Sequence, residues 1–140
     1  MDLDMAIQEL RKGSSVVVVK DGEIIARKKG RGISPFLEII EDGRLKLKAA
    51  SMADKVIGLA AAHLVLFSGI GAVYADVISE RALTLLGKNK LRVVYKELTP
   101  NILNRDKNGI CPMEDAVAQA RSPEDAYCNI KKRLAQLRQG

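Results

Sequence analysis

A chain of 140 residues and 15.3 kDa suits one compact domain, and its 47% apolar and 29% charged residues exclude a disordered or collagen-like polypeptide. Twenty-three Lys and Arg against seventeen Asp and Glu leave a net charge of +6, which favours anionic partners without choosing one. No apolar run reaches the roughly 18–20 residues of a membrane span, the acidic N-terminus is no signal peptide, and two separated cysteines build no disulfide framework; a cytoplasmic protein with reduced thiols is expected.

Leu3, Ala6, Ile7 and Leu10 recur at helical spacing after Asp2, and Gly13 stands ready to end the segment, which predicts a surface helix over residues 3–12. Two β-branched runs, Ser15–Lys20 and Glu23–Arg27, flank Asp21-Gly22, a pair that tolerates positive φ, and together they read as a β-hairpin. Ser34 as N-cap, Pro35 in the first turn and Gly43 as a stop predict a short helix over residues 34–43, inserted after the hairpin and burying Phe36, Leu37, Ile39 and Ile40. Ser51 followed by Asp54 is a capping-box variant that opens a helix over Met52–Ala62, and the uncharged run Val56–Ala62 requires that helix to be buried. Gly58 within it points to another element passing too close for a Cβ.

His63–Phe67 then reads as a strand, Gly69 and Gly71 as a turn, and Ala72–Ile78 as a further extended stretch. Ser79 caps a helix over Glu80–Leu86 that stops at Gly87, Leu91–Leu98 is a strand closed by Thr99-Pro100, and Asn104–Gly109 is a loop. Cys111-Pro112 and Ser122-Pro123 open two terminal helices. The last carries an apolar stripe of Tyr127, Ile130, Leu134 and Leu137, which makes Cys128 beside it a packing residue. This order predicts an α/β fold, a three-layer mixed β-sheet with helices on both faces, in a single domain over residues 1–140.

The inventory of metal ligands is one histidine and two cysteines, and their spacing does not make a zinc site: no His-x-Glu or Pro-Cys-x-x-Cys is present, so no metal or cofactor is expected and His63 reads as structural. Asp54-Lys55 stands directly before a wholly apolar helical run, where a lysine can meet a phosphate or carboxylate; the alternative is that Asp54 only caps and Lys55 reaches solvent. Ser79-Glu80 occupies the corresponding place on the next helix, where a hydroxyl and first-turn amides can hold an anion or merely cap. Cys111 is the one candidate nucleophile, at a helix start near Arg105 and Lys107, without an evident partner base. Asn104 and Arg105 can frame a planar polar ligand beside it, and Glu114 at the third helical position can close a capping box. The basic runs Arg27–Arg31 and Lys131–Arg138 lack interleaved aromatic faces, which disfavours nucleic acid.

The residues Ala53-Asp-Lys-Val-Ile-Gly-Leu-Ala-Ala-Ala62, Ser79-Glu-Arg-Ala82 and Ile102-Leu-Asn-Arg105 with Gly109-Ile-Cys-Pro-Met-Glu114 resemble a family of small prokaryotic proteins of unknown function placed on the cytidine deaminase-like fold. The resemblance implies that Asp54-Lys55 and Ser79-Glu80 sit where a deaminase carries its two zinc-ligand motifs, and that both helix starts converge on one cleft. It implies a zinc-free domain that takes a nucleotide or similar anionic metabolite, with Lys55 as charge partner, Asp54 as acceptor and Ser79 as phosphate cradle. A thiol-dependent enzyme or redox protein using Cys111 is the alternative, and a homo-oligomer stays open.

Overall fold

The structure, a computed structural model, describes residues 1–103 and 109–139. The N-terminal helix, α1 (Asp2–Leu10), is amphipathic and buries Leu3, Ala6 and Leu10. The hairpin follows: Asp21 and Gly22 take φ of 51° and 79°, the mirror-image turn that matches strand twist, and join β1 (Val16–Lys20) to β2 (Glu23–Lys28). After α2 (Ser34–Glu41) come β3 (Ser51–Ile57), α3 (Leu59–Ser68), β4 (Ala72–Ser79), α4 (Glu80–Lys88) and β5 (Arg92–Thr99), then α5 (Pro112–Val117) and α6 (Pro123–Gln139).

The sheet order is β2-β1-β3-β4-β5. β1 pairs antiparallel with β2 and β3, whereas β3, β4 and β5 run parallel and are joined by the crossover helices α3 and α4. Helices cover both faces. On one, α1 packs Leu3, Ala6 and Leu10 against Val17, Val19, Ala53 and Tyr74. On the other, Val16, Val18, Met52, Val73 and Ala75 meet the larger core contributed by α2, α3 and α4, and α5 and α6 pack chiefly on α3 and on each other. Each large aliphatic side chain sealed in this core contributes about 1.5–3 kcal/mol of transfer free energy.

Between residues 51 and 68 the order of elements is the reverse of the sequence expectation: the strand comes first and the helix second. Ser51–Ile57 is clasped by β1 on one side and β4 on the other, and α1 and α3 cover its two faces. Its middle, Met52 and Ala53, is buried on both faces and Lys55 and Val56 after it are both exposed, so no polar alternation marks the strand in the sequence. The helix expected over Met52–Ala62 begins at Leu59 and absorbs His63–Phe67, expected as a strand, because nothing pairs with that stretch and Gly69, at φ 81°, ends it with a left-handed cap. The Ser51/Asp54 capping box is therefore no cap; Asp54 Oδ1 accepts instead from the Val56 amide at 3.2 Å, a local turn within the strand.

Three smaller corrections follow. The N-cap of α2 is Ile33, with Ser34 already inside the helix, and the helix ends at Glu41 rather than at Gly43. Glu114 closes no capping box on α5, because its carboxylate is committed to another helix. Cys128 is exposed, not packed, while Ala126 and Ile130 on the same helix are the fully buried ones. The remaining helix starts hold: Ser79 Oγ accepts from Ala82 N at 3.2 Å, and Ser122 Oγ accepts from Asp125 N at 3.1 Å. Among the described residues no helix is long and apolar enough to cross a membrane.

Candidate functional site: two helix tips and their flanking cavities

The parallel strands β3 and β4 deliver the chain into α3 and α4 at the same edge of the sheet, the carboxyl edge, where open α/β sheets place their ligands. The two helix tips do meet there: Leu59 of α3 and Ser79 and Arg81 of α4 line one small cavity of about 70 Å³ with Ile102 and Glu114. Three first-turn amides at these tips are taken by the protein's own side chains, Ala82 N by Ser79 Oγ and two on α3. Gly58 carries no side chain to cap α3, so Glu114 reaches across from α5, its Oε1 accepting from Leu59 N at 2.7 Å and its Oε2 from Ala60 N at 2.8 Å. A carboxylate at a helix N-terminus satisfies both the free donors and the helix dipole. Gly58 is required by this contact, since a Cβ there would stand 2.7 Å from Glu114 Cδ and 2.8 Å from Ile102 Cγ1. The close approach of another element read from the sequence is thus real: α5, through its capping carboxylate, and Ile102 are what pass there.

Asp54 and Lys55 lie in β3, ahead of the helix, and not on a helical tip. They line a second cavity of about 290 Å³ together with Arg31, Ile102, Cys111 and Glu114, so Ile102 and Glu114 form a wall shared with the tip cavity. Its rim is the Gly30–Gly32 loop, latched to β1 by Ser15: the hydroxyl donates to Gly30 O at 2.9 Å, and Gly30 N lies 3.1 Å from the same oxygen. Gly32 at φ 69° bends the loop as only glycine does without strain. Asp54 keeps some exposed surface as a residue, yet its carboxyl is enclosed; burial pushes it up to about 7, the Val56 and Lys55 amides pull the other way, and Asp76 adds to the rise. Lys55 and Arg31 are exposed and make no ion pair among the described residues.

The other predicted site residues are distributed. Ser79 is 2% exposed and spends its hydroxyl on Ala82 N. Glu80 lines a third cavity, of about 530 Å³, with His63, Arg81, Lys88 and Arg121. Cys111 is half-buried at the start of α5 and shares the Asp54 cavity, whereas His63 lies on α3 facing the third one; no cavity here is lined by both. Asn104 and Arg105 lie outside the described residues. Two contributors escaped the sequence reading, Glu114 as the remote cap of α3 and the basic residues around His63, while Arg31 was read within the basic Arg27–Arg31 run but not placed beside Asp54. Only Gly58, a glycine at a helix start with no polar cap, carried a signal for the first of them.

A zinc ion at these tips does not fit. The side chains there are an aliphatic Leu59, a carboxylate bound to two amides and a hydroxyl bound to a third, and among the described residues no group of three or more His, Cys, Asp or Glu is placed to hold a metal.

Fold and site together define an α/β domain, a mixed five-stranded sheet with helices on both faces, in which the protein's own Glu114 carboxylate and Ser79 hydroxyl stand at the meeting point of the two helices. The chain belongs to the family described as TM1506, a domain of unknown function (DUF1893), whose model matches residues 5–134. It is similar to the solved structure of a DUF1893 family protein from Thermotoga maritima, at 27% identity and a TM-score of 0.81 over 96% of this chain and 89% of that one. It also shares its fold with a diaminohydroxyphosphoribosylaminopyrimidine deaminase/5-amino-6-(5-phosphoribosylamino)uracil reductase from Thermotoga maritima, at 19% identity and a TM-score of 0.50. That likeness covers 68% of this chain and 35% of the bifunctional one. No curated protein matches the sequence.

Proposed function

We propose that this domain binds a small anionic metabolite of nucleotide type in the cavity between the Gly30–Gly32 loop and the end of β3. The observation that carries the reading is the company Asp54 and Lys55 keep. One cavity of about 290 Å³ is lined by two cations, Lys55 and Arg31, and by a carboxyl whose proton equilibrium lies near neutrality. Lys55 and Arg31 supply the charge for a phosphate or carboxylate, and Asp54 accepts from or donates to the polar edge of a heterocycle. The volume is at the lower end of ligand pockets, which run from about 300 Å³, so one nucleotide or a smaller compound is the scale. Ser79 has no part in this recognition, being committed to Ala82 N in the neighbouring cavity.

Isothermal titration with the four ribonucleoside monophosphates tests the proposal. Saturable heat from at least one, weakened tenfold or more by Lys55→Ala, is the expected result; no heat from any member, or equal affinity in the variant, contradicts it. A thiol enzyme is the second reading, because half-buried Cys111 lines the same cavity. Alkylation rates of Cys111 against pH separate the two, and a midpoint at the ordinary thiol value of about 8.5 removes the thiol reading.

A further inference from the structure

Apart from the Asp54 cavity, α3, α4 and the segment between α5 and α6 line an open cavity of about 530 Å³ that includes the chain's single histidine. Its charge is lopsided. Arg81, Lys88 and Arg121 line it against one carboxylate, Glu80, and none of the three cations forms an ion pair among the described residues. Arg81 does donate to Ala118 O at 3.2 Å, which fixes the guanidinium across the cavity's edge. The nearest further carboxylate, Asp125, accepts from the Arg121 amide at 3.1 Å, so it is held by backbone and faces His63 from α6.

His63 is 6% exposed, and its Nδ1 has no hydrogen-bond partner among the described residues. An unpartnered buried polar atom is costly, and three cations that outnumber the single lining carboxylate repel one another. Both costs are borne in one place, where a bound anion would offset the second directly and order the imidazole's surroundings. In the basic runs on the surface, paired cations are interspersed with the rest: Arg27 with Glu9 at 2.5 Å, Lys28 with Glu38 at 3.5 Å, Lys131 with Glu41 at 2.8 Å and Arg133 with Asp115 at 3.0 Å. Around His63 three cations without an ion pair among the described residues line one concavity.

We infer that the His63 cavity is a second ligand site, one that takes the phosphate group of a small phosphorylated molecule, with Arg81, Lys88 and Arg121 as its charge partners. The space exceeds what a bare phosphate fills, and the apolar side chains Leu59, Leu85 and Val117 line the rest of it, so a phosphomonoester with an organic part is the ligand class.

His63 is its own reporter, because a chain with one histidine has one set of imidazole ring-proton resonances. The intact protein is titrated at fixed pH with inorganic phosphate, glycerol 3-phosphate and a nucleoside monophosphate, with chloride at matched ionic strength as the control. The expected result is a saturable shift of the His63 signal, tighter for an ester than for inorganic phosphate. Arg121→Gln and Lys88→Gln, both at solvent-facing positions, each weaken it at least threefold, while Lys55→Ala leaves it unchanged. A shift that chloride reproduces, a response without saturation, esters no tighter than inorganic phosphate, or an affinity indifferent to Arg121 and Lys88 overturns the inference. An affinity that falls with Lys55→Ala overturns it as well, since the response would then report the Asp54 cavity.

Discussion

The two helices that follow β3 and β4 start side by side and are capped in different ways. At α4 the cap is local: Ser79, three residues before Ala82, gives its hydroxyl to the helix it opens. At α3 the cap is remote: Gly58 has nothing to give, and Glu114, more than fifty residues along the chain, supplies both oxygens. A local cap is a property of a short peptide, whereas a remote one exists only when α5 is docked. The difference explains why the second tip is easily read from the sequence and the first is not. At each tip the protein's own side chain takes first-turn amides, Ala82 N at α4 and Leu59 N and Ala60 N at α3, that would otherwise face an anion.

The comparison breaks most severely at Glu114. Glu114→Ala strands two helix amides in a partly buried position and unhooks α5 from α3, with an expected loss of about 2–3 kcal/mol in urea unfolding, against a smaller loss for Glu114→Gln, which retains one acceptor. Gly58→Ala attacks the same contact from the other side. The backbone there is unstrained for alanine at φ −96°, so the effect is purely steric, and about 1–3 kcal/mol of destabilisation is expected from displacing Glu114 and Ile102. Combined, the two variants fall well short of the sum of their separate costs, because they remove one interaction.

The local cap is worth less. Ser79→Ala removes one acceptor from one amide and is expected to cost about 1 kcal/mol.

These contrasts set out what the chain discloses by itself. The hairpin around Asp21-Gly22, the Ser79 cap, the strand before Thr99 and the two proline-opened helices are encoded by neighbours in sequence, and each is observed within a few residues of its expected bounds. Residues 51–68 are not, because Ser51-Met-Ala-Asp-Lys-Val-Ile57 shows no period-two alternation and runs, across Gly58 alone, into the apolar helix Leu59–Ser68. What separates them is β1 and β4 on either side, which are long-range facts. The candidate site was legible as a pair of residues, Asp54 and Lys55, but not as a place. Arg31 joins them through the loop latched by Ser15, and Glu114 through the capping of α3, and no spacing rule foretells either meeting.

The last expected effect is a pH dependence set by Asp54. A carboxyl held up to about 7 in the folded protein, and near 3.9 when unfolded, keeps its proton longer in the native state. Its contribution to stability is therefore complete below about pH 4 and is lost as pH rises towards 7. Asp54→Asn keeps an oxygen for the Val56 amide and abolishes the charge. The variant is expected to match the wild type near pH 4 and to be the more stable of the two at pH 8, read from urea unfolding at the two pH values. Equal stability at both would show that the carboxyl ionises without penalty.

The most direct test of the account is a backbone amide map of nucleoside monophosphate binding to the intact chain, recorded by two-dimensional NMR. The account predicts saturable shifts at Gly30, Arg31, Gly32 and Asp54 through Val56, with Ser79 through Ala82 and the Glu114-bound amides of Leu59 and Ala60 undisturbed apart from second-hand changes through the shared wall. Shifts concentrated instead at Leu59, Ala60 and Ala82 would mean that the ligand displaces the internal caps, and would contradict it.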